Sequence, residues 1–389
     1  MQGVCGEAHN SYMIRILHVI TDLGVGGAEA MLLKLAMHHD RSQFTHAVIS
    51  LMEMGEIGER LRAEGIDVHA LGCRRGLPDW RAIRRLMGLA RQLRPDIIQG
   101  WMYHGNLAAW LARRFAPGKP PLIWGVRQSL DRLGDEKWLT RCVILANAFF
   151  SRRVESIVYN AQRSKVQHEA IGFNRQNGRV IANGFDTDLF SPSATDRMAI
   201  HKELQLAGDT LLVGLIGRFH PMKDHHGFLQ AASEVVRQHG KVHFLLAGEG
   251  IDWENPVLSG WISQYGLTNH VHLLGRRQDV PRLMAALDIA VSSSARNEGF
   301  ANVIGEAMSC GVPCVVTDVG DAAWIVGDTG KVVLPGNPKM LAEALATLVS
   351  MEPEKRQRLG ILSRERAVSA FSIQKVTTHF EALYATLAR

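Results

Sequence analysis

The chain has few cysteines, no long apolar run and, in its first half, a shortage of acid. Five cysteines among 389 residues (Cys5, Cys73, Cys142, Cys310 and Cys314) are scattered and odd in number. That excludes a disulfide framework and points to reduced thiols, as in the cytoplasm. Cys310 and Cys314 flank an expected helix end and read as small core residues, not metal ligands. No run of about 20 apolar residues occurs, so no segment is expected to span a bilayer. Met1–Tyr12 is polar, and the IRILHVI that follows is too short and wrongly flanked for a signal peptide; Met13 is an alternative start. No basic module rich in aromatics is present, which argues against nucleic acid as a partner.

Residues 1–190 hold 25 Lys and Arg against 18 Asp and Glu, whereas the remainder holds 19 against 20. Arg74, Arg75, Arg81, Arg84, Arg85, Arg91, Arg94, Arg113 and Arg114 carry part of the excess. They form either a solvated basic face or a surface attracted to an anionic membrane or acidic substrate. Thr140–Val154, TRCVILANAFFSRRV, is apolar with basic ends. It is expected as a core helix, with contact at a membrane interface as the other reading.

What is present is a repeated β-then-α rhythm. Apolar runs such as IRILHVIT, THAVISL, DVHAL and PDIIQGW alternate with amphipathic stretches such as WRAIRRLMGLARQL. The rhythm restarts near residue 210 with TLLVGLIG, VHFLLAG, VHLLG, IAVSS and PCVVTD. This pattern implies parallel sheets covered on both faces by helices, hence two doubly wound α/β halves facing across a cleft. The join falls near the polar FSPSATDRM, Phe190–Met198. Ligands of such sheets sit beyond the carboxyl ends of the strands.

The strand ends of the second half carry the chemistry. One reads Gly217-Arg218-Phe219-His220-Pro221-Met222-Lys223 before a helix. Arg218 and Lys223 are either solvated cations or a clamp on an anion, helped by the helix N-terminus. Another ends at Gly275-Arg276-Arg277, where glycine lets a flat ring approach the backbone. A third leads through Glu298 and Gly299-Phe300-Ala301-Asn302 into a helix that carries Glu306. A carboxylate about one turn into that helix can accept both hydroxyls of a ribose diol; two ordinary polar residues near a helix start are the other reading. Asp186-Thr187-Asp188 spells Asp-x-Asp but lies in the interdomain stretch, so no metal is assigned to it. The adjacent pairs His38-His39 and His225-His226 are poorly spaced for a shared metal.

With these residues the chain resembles the retaining family 4 glycosyltransferases (group 1 glycosyltransferases), which have the GT-B architecture. Glu298 and Glu306 in EGFANVIGE match the family's Glu-x7-Glu, and GRFHPMK matches its Gly-Arg-x4-Lys clamp. NGFDTDLFSP matches its interdomain motif, GVGGAE its glycine loop, and HPMKDHHGF resembles bacterial members that build surface polysaccharides. The resemblance covers most of the chain and is more distinctive in the second half. It implies an acceptor-binding Rossmann-like domain over 1–190, joined by a crossover helix at about 373–389, and a donor-binding domain over 200–372. Glu306 is implied to bind ribose and Glu298 the transferred sugar, while Arg218 and Lys223 neutralise the diphosphate. The backbone at Gly217 and at Gly299, Phe300, Ala301 and Asn302 is implied to touch the donor. Gly275, Arg276 and Arg277 would lie by the base, and Gly26 and Gly27 by the donor phosphate or the acceptor. His104 would lie near the sugar, and Arg127 on the acceptor or phosphate side.

The implied reaction is metal-independent, retaining transfer from a nucleotide-diphosphate sugar, by default a UDP-sugar, to a lipid-linked or polysaccharide precursor. It needs no cofactor. Its place is cytoplasmic or peripheral on the inner face of the plasma membrane. An epimerase or hydrolase of the same fold and a silent sugar-nucleotide-binding partner are the alternatives. A nicotinamide dehydrogenase is disfavoured, because GVGGAE lacks the full dinucleotide fingerprint.

Overall fold

The computed structural model describes residues 13–24, 26–73, 79–296 and 298–388; the readings above on Met1–Tyr12, Cys5, Arg74 and Arg75 lie outside them. The first sheet holds β1 (Ile14–Ile20), β2 (Phe44–Ser50), β3 (Asp67–Ala70), β4 (Ile97–Trp101), β5 (Leu122–Val126), β6 (Ser156–Tyr159) and β7 (Gly178–Val180). Its helices are α1 (Gly27–His38), α2 (Gly55–Ala63), α3 (Trp80–Leu93), α4 (Met102–Arg113), α5 (Trp138–Phe150) and α6 (Gln162–Ala170). Then α7 (Ala194–Glu203) leads to the second sheet. That sheet holds β8 (Leu211–Ile216), β9 (Val242–Ala247), β10 (Val271–Leu273), β11 (Ile289–Ser292), β12 (Cys314–Thr317) and β13 (Lys331–Val333). Its helices are α8 (His225–Gln238), α9 (Pro256–Gln264), α10 (Val280–Ala286), α11 (Asn302–Ser309), α12 (Ala322–Val326) and α13 (Pro338–Val349). Two long helices, α14 (Pro353–Phe371) and α15 (Ile373–Leu387), close the described chain.

The strand orders are β3-β2-β1-β4-β5-β6-β7 and β10-β9-β8-β11-β12-β13, and the pairings are parallel. Both expected doubly wound halves are therefore present. Each order reverses direction once, between β1 and β4 and between β8 and β11. A crevice opens beyond the strands at such a switch point. The segments that follow β1, β4, β8 and β11, loop or first helical turn, are those that carry Gly26 and Gly27, His104, Arg218 with Lys223, and Glu298.

Strands buried on both faces explain the unbroken apolar runs. One face of the first sheet packs on α1, α2 and α15, the other on α3, α4 and α5. Thus α15 returns to the first half, where Ile373, Val376, Phe380 and Leu383 join the α1 core. The two chain crossings between halves lie side by side: Phe185 N–H donates to Phe371 C=O at 2.8 Å, and Ile373 N–H to Phe185 C=O at 2.7 Å.

Beneath α1 and α15 a chain of three imidazoles, His18 and His39 buried and His46 half-buried, hangs from the Trp101 indole. Trp101 Nε1–H donates to His18 Nδ1 at 3.1 Å, His18 Nε2 meets His46 Nδ1 at 3.0 Å, and His46 Nε2 meets His39 Nδ1 at 2.9 Å. Indole can only donate, so each imidazole is neutral and carries its proton on Nε2. His39 Nε2 ends the chain without a partner.

The reading of Thr140–Val154 as a core helix needs correction. α5 buries only Ile144, Asn147 and Ala148 against the sheet, while Trp138 is 69% and Phe149 70% exposed. A stretch that is apolar all round hides its period, so the sequence does not show which side faces the core.

Candidate active site at the switch points

In the second half, β8 ends at Ile216, and Gly217 follows it beside the loop after β9. Gly248 has φ +153, and a Cβ there would lie 2.2 Å from the Gly217 carbonyl oxygen, so only glycine lets the two loops touch. Arg218 is exposed and makes no hydrogen bond or ion pair among the described residues. A single tight turn, Pro221–Lys223, follows. It aims Lys223 inward, with Nζ 2.7 Å from both carboxylate oxygens of Glu298. Ser294 Oγ also donates to Glu298. The loop after β11 is pinned to that turn by Ala295 N–H on Met222 C=O at 2.7 Å and Ser293 Oγ on Lys223 C=O at 2.6 Å. Behind it, a Cβ on Gly320 (φ +59) would stand 1.8 Å from the Glu298 carbonyl oxygen.

The backbone then enters α11. The Phe300 side chain is in the core, stacked on Phe185 with ring centroids 5.9 Å apart, so it presents only backbone to the crevice. Ala301 is buried at the N-cap and Asn302 opens the helix. Glu306 lies half-buried beyond the first turn. Burial raises its carboxyl pKa, and the Lys34 ammonium of α1 opposes that rise.

The first half closes the other side. A Cβ on Gly27 would lie 3.8 Å from Asn302 Nδ2, so the N-termini of α1 and α11 converge across the crevice. Their free amides and aligned dipoles make this a place for an anion. Gly26 is the N-cap of α1. His104 stands exposed in the first turn of α4, and partial burial keeps its imidazole pKa below the ordinary value. Ser129 Oγ donates to Glu298 C=O at 3.3 Å. Asp321, from the loop after β12, accepts from Gln162 N–H at 2.5 Å and Arg163 N–H at 3.0 Å, capping α6 of the opposite half.

Three candidates sit apart from this centre. Arg127 is 9% exposed, between the rings of Trp101 (5.0 Å) and Phe380 (5.8 Å). It donates to Asn183 Oδ1, and Asn183 Nδ2 donates to Asn302 Oδ1 at 2.8 Å, a strut behind the crevice wall. Burial lowers its pKa to about 10. Arg276 reaches across to Glu56 at 3.9 Å, in the open. Arg277 is held by Glu203 at 2.6 Å and Asp279 at 2.7 Å; these acceptors raise its pKa and engage its guanidinium, while Gly275 leaves open space. Asp186 Oδ1 accepts from Asp188 N–H and Leu189 N–H, shaping its own turn.

Sequence reasoning missed Ser129, Lys34, Ser294 and Asp321. The spacing of Ser129, Lys34 and Asp321 in the chain carries no signal, since only folding brings them to the crevice; Ser294, four residues before Glu298 in the same loop, was within local reach.

Comparison with known proteins agrees in both halves. The profile described as Glycosyltransferase Family 4 matches residues 25–189, and that described as Glycosyl transferases group 1 matches residues 210–351. The chain is 30% identical over 234 residues to spore coat protein SA of Bacillus subtilis, spanning 54% of this chain and 59% of that protein. It is 28% identical over 302 residues to the lipopolysaccharide core biosynthesis glycosyltransferase LpsE of Rhizobium meliloti, spanning 77% of this chain and 78% of that one. The crystal structure of HepE from Anabaena in complex with UDP and glucose aligns at TM-score 0.81 and 25% identity, over 96% of this chain and 100% of that chain. By its two facing Rossmann-like sheets and by both profiles, the chain has the GT-B fold and belongs to the group 1, family 4-type glycosyltransferases.

Proposed function

We propose that this protein moves a sugar from a nucleotide-diphosphate donor, a UDP-sugar in the first instance, to a lipid-linked or polysaccharide precursor, with retention and without metal. The observation that carries this is the Lys223–Glu298 pair set beside the converging N-termini of α1 and α11. UDP and glucose in HepE support the donor. The part of LpsE in lipopolysaccharide core biosynthesis supports a cell-envelope acceptor.

In this reading the diphosphate lies between the two helix starts, with Arg218 free to fold onto it. Glu306 takes the ribose hydroxyls and Glu298 those of the sugar. As the glycosidic C–O bond breaks, positive charge grows on the sugar and negative charge on the leaving diphosphate. The amides of the two helix starts are fixed and lower the barrier without reorganisation, and Arg218 and Lys223 add their charge once they have turned onto the diphosphate. The acceptor hydroxyl attacks from the face the diphosphate leaves, and its proton passes to a phosphate oxygen. No protein nucleophile is needed.

The test is thermal unfolding with UDP, GDP or ADP in the presence of EDTA. A ligand at about a hundred times its Kd adds about 2.7 kcal/mol. UDP should stabilise the protein, and Arg218→Ala should abolish the effect. No stabilisation by any of the three, or an inverted anomer in the product by NMR, overturns this reading.

A further inference from the structure

We propose that Arg127 is a positioning residue: through Asn183 it fixes the Asn302 side chain with its amide protons toward the place for an anion between α1 and α11. Arg127 follows β5 in the first half, Asn183 lies beside Phe185 on the crossing between the halves, and Asn302 opens α11 in the second. This deepens the proposed function and rests on its reading that a diphosphate lies between the two helix starts.

The first observation is a charge without a counter-charge. Arg127 is buried, yet among the described residues no carboxylate pairs with it, and its Nε and Nη2 have no hydrogen-bond partner. The rings of Trp101 and Phe380 flank the guanidinium and offset part of its lost hydration. A buried cation left unpaired is costly, and an apolar side chain of similar length would fill the space with less loss. Packing alone therefore gives no reason for an arginine here.

The second observation is direction. A guanidinium has only donors, so Asn183 must turn Oδ1 toward Arg127. Asn183 Nδ2 is then the atom left to meet Asn302, and it donates to Asn302 Oδ1 at 2.8 Å. The Asn302 side chain has one polar atom remaining, Nδ2. It lies on the side of α1, 3.8 Å from where a Cβ on Gly27 would stand. Without a pure donor at the far end, either amide could face either way. With it, the donor end of Asn302 faces the crevice. Asn302 thus adds side-chain N–H groups to the backbone amides of the helix starts, and a hydrogen-bond chain that begins at a cation polarises them toward an anion.

The experiment is titration calorimetry of the purified chain with UDP and with inorganic pyrophosphate, beside urea unfolding of each protein without ligand. Asn183→Asp keeps the shape and gives Arg127 a carboxylate, so a strut that only holds the halves together is kept or strengthened. Its oxygens only accept, so Asn302 must turn Nδ2 toward it and present Oδ1 to the anion. The unfolding midpoint should be unchanged or raised. Affinity for both ligands should fall by roughly ten- to a hundredfold, the scale of one hydrogen bond to a charged group. Asn302→Ala should weaken binding by the wild type. Added to Asn183→Asp it should restore part of the affinity, because it removes a carbonyl that then faces the anion. Affinity of Asn183→Asp within about twofold of the wild type, or a further loss on adding Asn302→Ala, overturns the proposal. So does Arg127→Met that binds both ligands as the wild type does. If the wild type binds pyrophosphate but not UDP and the variants show the same reversal, the donor reading fails and the positioning role stands. UDP binding that none of the substitutions alters removes the role and leaves the donor reading; binding of neither ligand by the wild type removes both.

Discussion

Replacing Glu298 by glutamine removes a charge and keeps the shape. In the free protein the Lys223 ammonium lies 2.7 Å from the carboxylate, and the two side chains are 20% and 16% exposed. The gross attraction at that separation is ~6 kcal/mol for an effective dielectric of about 20. Desolvation offsets most of it, which leaves ~1–2 kcal/mol for a pair between the exposed and fully buried cases. An incoming diphosphate must draw Lys223 away from that carboxylate and approach its negative charge. Glu298→Gln should therefore bind UDP more tightly, by roughly 5- to 30-fold at about 1.4 kcal/mol per decade. Transfer should fall by ~10²-fold, the scale of one lost preorganised contact. Titration calorimetry with UDP reads the first effect and initial rates the second. In a Lys223→Ala background most of the gain in affinity should vanish. Unchanged or weaker UDP binding by Glu298→Gln would refute the competition.

Two further outcomes follow from packing and burial. Asp321→Ala orphans the Gln162 and Arg163 amides of the opposite half and should cost ~1–2 kcal/mol, the range for a lost helix cap; urea unfolding that shows no loss removes Asp321 as an interdomain latch. Acid should destabilise the protein through the histidine chain. Burial holds His18 well below the ordinary imidazole value, His46 at about 4 and His39 at about 2. With folded pKa values depressed, the unfolded chain binds the extra protons below its own pKa of about 6.5. Stability from this source is therefore whole above pH 6.5 and is lost as pH falls from there toward 4. These three groups add up to ~4 kcal/mol per pH unit to a slope that buried His168 and His225 and half-buried His272 also feed, and His39→Phe should lower the measured slope by ~1.4 kcal/mol per pH unit. Urea melts at several pH values measure this, and an unchanged slope in His39→Phe removes the chain as its origin.

Much of this protein is local in the chain. Apolar runs of strand length alternating with amphipathic helices were enough to expect two parallel sheets, because each run reports its own burial. Glu298, the α11 backbone and Glu306 form one strand–loop–helix segment, so their shared chemistry was legible as a spacing. Arg218 and Lys223 were legible in the same way, on one turn after β8. Contacts across the fold were not. Lys223 and Glu298 lie 75 residues apart, yet their side chains meet because β8 and β11 are neighbours in the sheet. The histidine pair read as His38-His39 divides on folding, since β1 and β2 set His18 and His46 on one face as diagonal neighbours and His39 turns toward them. Arg127 at a strand end looked open to ligand; packing between Trp101 and Phe380 makes it a buried strut. The sequence by itself determined the elements, their parallel class and the donor-side motifs, all set by periodicity and short-range spacing. Tertiary structure alone decided which helix N-termini converge, which cation meets which carboxylate and which side of α5 stays in solvent. Those depend on distances between segments that no local pattern encodes.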